Sequence, residues 1–272
     1  MIRHNRNKMK YLATPFILLT SVCQGFSPLS KPFRSRSVGA STSLLKADTQ
    51  KMAEKVLANP QWPPEWPYTA QDLARMDDST DSIFYETPRL VTHIADSTIA
   101  GITDYYSSIF ADGDDVLDIC SSWISHYPQD WEGGKVVGLG MNEYELTQNK
   151  VLSSFDVKDL NEDPTLPYDD DSFDKVTCVV SVDYLTRPLE VFSEIGRVLR
   201  PGGMCLISIS NRCFPTKAWN LWLRTNDLEH VFITGSFFHY SGMFDPPSCT
   251  DRSPSPAQGD PLFIIKAEKK KD

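Results

Sequence analysis

The sequence predicts an α/β protein with a doubly wound, mostly parallel sheet, and three features between Ser172 and Asn211 carry that prediction. Val176–Ser181 is a short, apolar, β-branched run without a helical stripe, as a strand covered on both faces should be. Pro188 is suited to open a helix, since its missing N–H costs nothing in the first turn, and Leu189, Phe192, Ile195 and Leu199 then share one helical face. Pro201-Gly202-Gly203 stops that helix and turns the chain into a second buried run, Met204–Ser210. Strand, helix and strand in this order make a right-handed βαβ crossover.

The flanking elements follow in chain order. Gln61–Tyr68 reads Gln-Trp-Pro-Pro-Glu-Trp-Pro-Tyr and should be extended, because a residue before proline is pushed out of the α region. Its rings are expected to pack onto their own domain. Thr87-Pro88 has the form of a helix start, with Val91, Ile94, Ala95, Ile102, Tyr105 and Ile109 as an apolar stripe. Val116–Cys120 reads as the first strand, Lys135–Leu139 as the second and Ser154–Val157 as the third, before an acidic loop at Asn161–Asp171. Beyond Asn211 the sequence suggests a helix around Lys217–Asp227, a strand around Val231–Phe238 and a last strand at Leu262–Ala267.

Charge divides the chain unevenly. Of 27 Lys and Arg residues, eight lie in residues 1–46, which hold no Asp or Glu. The remainder carries 19 basic residues against 36 acidic ones, a net of −17, which argues against nucleic-acid or anionic-membrane binding. Arg3–Lys10 is positive, Tyr11–Val22 is apolar but too short to span a bilayer stably, and Cys23-Gln24-Gly25 offers small residues for cleavage. Residues 1–25 therefore read as a signal peptide. Residues 26–46, opened by Phe26 and rich in Ser, Arg and Lys, read as a plastid transit peptide. Together they resemble the bipartite presequences of algae with secondary plastids, which implies the chloroplast stroma; plain secretion is the alternative. An N-terminal arm with helices (47–110) and an α/β domain (111–272) remain. Cys120, Cys178, Cys205 and Cys213 have no CxxC or Cys/His spacing, so they read as reduced core fillers and no metal is expected.

Leu166-Pro167-Tyr168, Asp171-Ser172-Phe173-Asp174, Val176 and Arg197-Val198-Leu199-Arg200-Pro201-Gly202-Gly203 together resemble the second half of a class I S-adenosylmethionine-dependent methyltransferase of the small-molecule type 11 kind. The resemblance covers roughly residues 114–211. It implies seven strands with the last antiparallel, S-adenosyl-L-methionine as cofactor, a small-molecule methyl acceptor, and a ligand at the carboxyl ends of the strands. Carried over position by position, it implies cofactor contacts from Asp118, Cys120, Ser121 and Ser122 after the first strand. Gly140 and Asn142 follow the second, Asp159 and Leu160 the third, and Ser181 and Asp183 the fourth.

Two departures bear on function. Where the family has three glycines, this chain has Cys120, Ser122 and Ile124, although glycine there permits positive φ and close approach of the backbone to the ligand. Where the family has an acid for the ribose hydroxyls, it has Gly140, with Asn142 or Glu143 as the nearest substitutes. Methyl transfer runs largely on proximity, so no catalytic residue is assigned; Tyr85, His93, His126 and Tyr240 are the candidates where an acceptor needs deprotonation. Asp245-Pro246-Pro247 resembles a motif of amino methyltransferases but lies far beyond the fifth strand, with Ser248 in the aromatic place. The departures keep open a second class of function, a methyltransferase-fold binding or assembly protein without catalysis. A dehydrogenase is disfavoured, because the turn after Asp118 is a poor Gly-x-Gly-x-x-Gly.

Overall fold

A computed structural model describes residues 52–255 and 258–271, so both presequence segments lie outside the described residues. Seven strands form its sheet: β1 (Val116–Ser121), β2 (Val136–Gly140), β3 (Ser154–Val157), β4 (Phe173–Val179), β5 (Leu199–Ile209), β6 (Ser248–Asp251) and β7 (Phe263–Glu268). Their spatial order is β3-β2-β1-β4-β5-β7-β6. The first five run parallel, and β7 is antiparallel to both β5 and β6. This is the doubly wound, mostly parallel sheet with an antiparallel last strand that the sequence and its resemblance implied.

The helices are α1 (52–58), α2 (Ala70–Leu73), α3 (Asp81–Phe84), α4 (Asp96–Ser107), α5 (Glu143–Gln148), α6 (Pro188–Val198), α7 (Asn220–Arg224) and α8 (Asp227–Ser241). Strand alternation divides the core between two faces. Leu117 and Ile119 of β1, with Cys205, Ile207 and Ile209 of β5, join one apolar cluster with Phe192 and Ile195 of α6 and Phe237 and Phe238 of α8. Val116 and Leu206 point the other way, into a smaller cluster with Ile102, Tyr105 and Tyr106 of α4. Pro188 occupies the first turn of α6 as expected. Pro201-Gly202-Gly203 forms a bulged loop inside β5, with Gly202 at φ 77°, where a Cβ would be strained.

Three elements differ from the sequence reading. Residues 231–238 form part of α8, not a strand. Asn226 caps it, accepting from the N–H groups of Leu228 and Glu229 while Glu229 accepts from Asn226, and Gly242 ends it at φ 73°. Its β-branched and aromatic residues misled because α8 is buried nearly all round, which erases the helical stripe. The sixth strand is instead Ser248–Asp251, just past the Asp245-Pro246-Pro247 motif. The helix expected from Thr87-Pro88 begins only at Asp96, and residues 87–94 run as a loop that leaves Leu90 and Val91 exposed. Around Lys217–Asp227 only the short α7 is helical.

The Trp/Pro arm packs onto α8: Trp62 stacks on His239 at 5.2 Å, Trp66 meets Tyr240 edge-on at 5.5 Å, and the Tyr240 hydroxyl donates to Pro63 O at 2.6 Å. The next segment is wound about a buried ammonium. Lys217 is 0% exposed and lies 3.0 Å from Asp81 Oδ1, while its Nζ donates to Ser79 O at 2.8 Å. Asp81 also accepts from Arg75 (2.7 Å) and Asn161 (2.8 Å). Burial works to raise the Asp81 pKa, but these donors outweigh it and hold the carboxyl below its usual 3.8.

Removing one member of a buried charge cluster typically costs about 3–5 kcal/mol. Lys217→Met should therefore lower the urea midpoint by about that energy and hasten tryptic cleavage at Arg75 and Arg89. An unchanged midpoint would mean the cluster is not what holds residues 75–85 in place.

Candidate active site

A cavity of about 600 Å³ opens at the carboxyl ends of β1 to β4, where the winding of the sheet reverses between β1 and β4. Residues of the 85–94 loop and of the 211–215 loop complete its wall. All of the residues expected to contact a cofactor line it (Asp118, Cys120, Ser121, Ser122, Gly140, Asn142, Asp159, Leu160 and Ser181) except Asp183.

Asp118 organises the first turn. Its Oδ2 accepts from Ser121 Oγ (2.8 Å) and Ser125 Oγ (2.7 Å), and its Oδ1 from Thr177 Oγ1 on β4 (3.0 Å). The Tyr127 hydroxyl sits 2.8 Å behind Thr177. Burial raises the Asp118 pKa above 3.8, with the three hydroxyls acting against the rise. The backbone keeps the left-handed geometry that glycine favours even without one, since Cys120 sits at φ 53°. A left-handed non-glycine residue costs roughly 1–2 kcal/mol. Three hydrogen bonds to one carboxyl, each contributing about 1 kcal/mol or more, offset that. Ile124, in the third glycine position, is 37% exposed at the rim, and Trp123 donates its indole N–H to Val91 O at 3.2 Å. Neither residue fills the cavity. Across it, Val180 holds φ 44°, a strained geometry for a β-branched residue, so strain flanks the cavity at the ends of both β1 and β4.

The missing acid after β2 has a steric explanation. β1 bulges between Ile119 and Ser121, and Gly140 pairs with Ser121 across the bulge. A Cβ on Gly140 would lie 2.2 Å from Ser121 O, so no side chain fits there. Asn142 does not serve as a free substitute. Its Oδ1 caps α5 by accepting from Glu145 N at 3.0 Å, and its Nδ2 donates to the carbonyls of Tyr85 (2.8 Å) and Glu86 (3.1 Å). Glu143 is exposed and outside the lining. The acid that does face the cavity is Glu145, whose carboxylate accepts from Ser122 Oγ (2.5 Å) and Arg89 N (2.6 Å). Its spacing from Asn142 is that of a capping box, a signal visible in the sequence, but the side chain turns to the cavity instead of back to the cap.

Asp159 lines the cavity with one carboxylate oxygen taken by Asn161 N at 2.8 Å. Burial lifts its pKa, partly opposed by that bond. Ser181 uses its hydroxyl locally, donating to Val179 O at 2.9 Å. Asp183 departs from expectation: it is 2% exposed, lies outside the lining, and its Oδ2 has no hydrogen-bond partner among the described residues. Burial pushes its pKa up to about 8. Three of the four deprotonation candidates, Tyr85, His93 and His126, line the cavity; Tyr240 does not, because its hydroxyl holds the arm. Burial takes His126 down to about 4 and lowers His93, leaving neutral imidazoles at pH 7, and it raises the Tyr85 phenol.

Comparison with known proteins bears on this geometry. The Methyltransf_11 family, described as methyltransferase domain, matches residues 120–207. The methyltransferase GfsG of Streptomyces halstedii is 35% identical over 81 residues, which make up 27% of this chain and 28% of that protein. The match thus spans little more than a quarter of that relative. Among solved structures, the [4+2]-cyclase SpnF is similar with a TM-score of 0.49 and 15% identity, over 70% of this chain and 91% of that one. An S-adenosylmethionine-dependent methyltransferase from Mesorhizobium loti gives 0.44 and 14%, over 62% and 98%. Residues 120–207 thus match a methyltransferase domain, and the sheet has the strand order of the class I methyltransferase fold, whose cofactor is S-adenosylmethionine.

Asp183 generates a pH prediction. Between about pH 4 and pH 8 the native state keeps a proton that the unfolded state releases, so the native state loses stability as pH rises, by up to about 1.4 kcal/mol per unit. Asp183→Asn keeps the shape of the neutral acid and does not titrate. It should be more stable than the parent at pH 8, with the gap narrowing toward pH 5 in urea melts. An equal gap at both pH values would show that Asp183 is not buried as the neutral acid.

Proposed function

We propose that this chain is an S-adenosylmethionine-dependent methyltransferase acting on a small-molecule acceptor in a plastid. The observation that carries the reading is the cavity at the switch point, sized for a small ligand and bordered by the carboxylates Asp118, Glu145 and Asp159. The donor set fits the cofactor. Asp159 would hold the adenine amino group, and Glu145, supplying after β2 the acid that Gly140 excludes, would hold the ribose hydroxyls. When bound, S-adenosylmethionine supplies a methyl group on a sulfonium, whose carbon–sulfur bond breaks as the acceptor's nucleophile takes the carbon. The 85–94 and 211–215 loops hold the acceptor and exclude water, so orientation provides most of the rate. His93 and His126, neutral at pH 7, are placed to take a proton from an acceptor hydroxyl, while Tyr85 stays a phenol.

Titration of S-adenosylmethionine into the protein should give a heat of binding. Asp159→Ala should weaken it roughly five- to a hundredfold, from the 1–3 kcal/mol carried by one buried or charge-assisted hydrogen bond. Folded wild-type protein giving no heat at millimolar cofactor would leave the non-catalytic binding-protein reading in its place.

The basic, acid-free residues 1–46 support the plastid assignment. Fused to a fluorescent protein, they should enter the plastid of an alga with secondary plastids, and Phe26→Ala should stop the fusion before the stroma. Signal confined to the medium or endomembranes would overturn the assignment.

A further inference from the structure

The cavity is charged unevenly. Its carboxylates cluster at the ends of β1 to β3, and Asp118, Glu145 and Asp159 are each already hydrogen-bonded within the chain. Its positive charge lies elsewhere. Lys158 is paired with Asp163 at 2.7 Å, whereas Arg89, from the 85–94 loop, makes no salt bridge among the described residues. Rings hold the Arg89 guanidinium instead, 4.5 Å from the Phe84 centroid and 5.5 Å from that of Phe214. Arg89 donates to the carbonyls of Phe84 (3.0 Å) and Thr87 (3.5 Å), which leaves most of its five N–H donors unused.

Arg212, from the loop after β5, also lines the cavity and is loosely tethered. Its Nε lies 3.7 Å from Asp260 Oδ1 and 3.5 Å from His93 O, and its terminal N–H groups make no hydrogen bond among the described residues. Both arginines gather about His93 and Phe214: Arg212 Nε reaches the His93 carbonyl at 3.5 Å, and the Arg89 guanidinium and the His93 ring both pack on Phe214. That imidazole rests edge-on against Phe214 at 5.2 Å.

Beyond residue 46 acids outnumber bases by 17, so partners for two arginines are plentiful. Arg89, without a carboxylate partner among the described residues and already oriented on aromatic faces, is set up to bind a planar anion two-pronged, and Arg212, paired with Asp260 at 3.7 Å through Nε, still has its terminal N–H groups to offer. The same acidic surroundings repel an anion everywhere else nearby, which makes the arginine side of the cavity selective.

Resting on the methyltransferase reading of the cavity, we propose that the methyl acceptor is a small carboxylic acid with a flat apolar body. Its carboxylate binds Arg89 and Arg212, and its body lies against Phe214 and Trp123. The acceptor's arginine contacts then adjoin the cofactor's carboxylate contacts at Glu145, which the Arg89 N–H holds at 2.6 Å, while the acceptor's own carboxylate is taken by the guanidinium groups.

The test uses the full chain with trans-cinnamate and its neutral amide, trans-cinnamamide, as probes, in the presence and absence of S-adenosylhomocysteine. Cinnamate should bind about tenfold or more tightly than the amide. Arg89→Gln should cut cinnamate affinity by about tenfold or more, with amide and S-adenosylhomocysteine affinities unchanged. Arg212→Gln, at an exposed position that does not threaten folding, should cut it in the same selective way by a smaller factor. Equal binding of acid and amide, binding of neither at 10 mM (roughly the weakest specific affinity), or cinnamate affinity indifferent to both substitutions would overturn the proposal. Failure of S-adenosylhomocysteine alone to bind, with acid selectivity retained, would instead count against the cofactor reading and leave the anion site intact.

Discussion

The buried carboxyl of Asp118 is the constraint from which the site is built. It draws Ser121 and Ser125 in from its own turn and Thr177 in from the neighbouring strand, so one group sets both the path of the turn and its position against β4. A turn rich in glycine is held by backbone freedom; this one is held by side-chain hydrogen bonds. The trade explains how Cys120 stays left-handed and how a cavity survives beside Trp123 and Ile124. It also fixes Asp118 in a structural role, because its carboxylate oxygens already serve the protein.

The consequence spreads to the next strand. The bulge at Cys120 brings Ser121 against Gly140 so closely that no side chain can stand there. The acid facing that part of the cavity comes from one turn further on, Glu145 in α5, and its partners are Ser122 of the first turn and the Arg89 backbone. Glu145 therefore links β1, α5 and the 85–94 loop. That loop is secured at its other end by the Lys217 and Asp81 cluster, so this wall of the cavity hangs between two polar anchors. Backbone strain at Val180 lies at the end of the strand that shares Asp118's network.

Much of the fold was legible because its signals are local. The β-branched run of β4, Pro188 in the first turn of α6 and the Pro-Gly-Gly bulge each state their own geometry, and β3 lies at Ser154–Val157 as expected. Legibility failed where burial is uniform or where tertiary contacts override a start signal. α8 presents apolar and β-branched residues on nearly every side, so its period vanished and only Asn226, Glu229 and Gly242 marked its ends. Thr87-Pro88 looked like a cap, yet residues 87–94 are held as a loop by the Arg89 N–H bond to Glu145 and the Asn142 bonds to Tyr85 and Glu86.

The sequence by itself determined the class of fold, the strand ends that border the cavity and the lining residues that directly follow them, because a parallel strand and the turn that follows it are specified by adjacent residues. Tertiary structure alone decided which of those residues are free to act. Asp118 and Asn142 are committed to holding the chain, Asp183 is folded into the core as a neutral acid, and Glu145 and Arg89 are brought to the cavity from segments far apart in the chain. The reason is physical: a polar side chain's availability depends on which donors and acceptors already surround it, and those partners come from elements that only packing brings together.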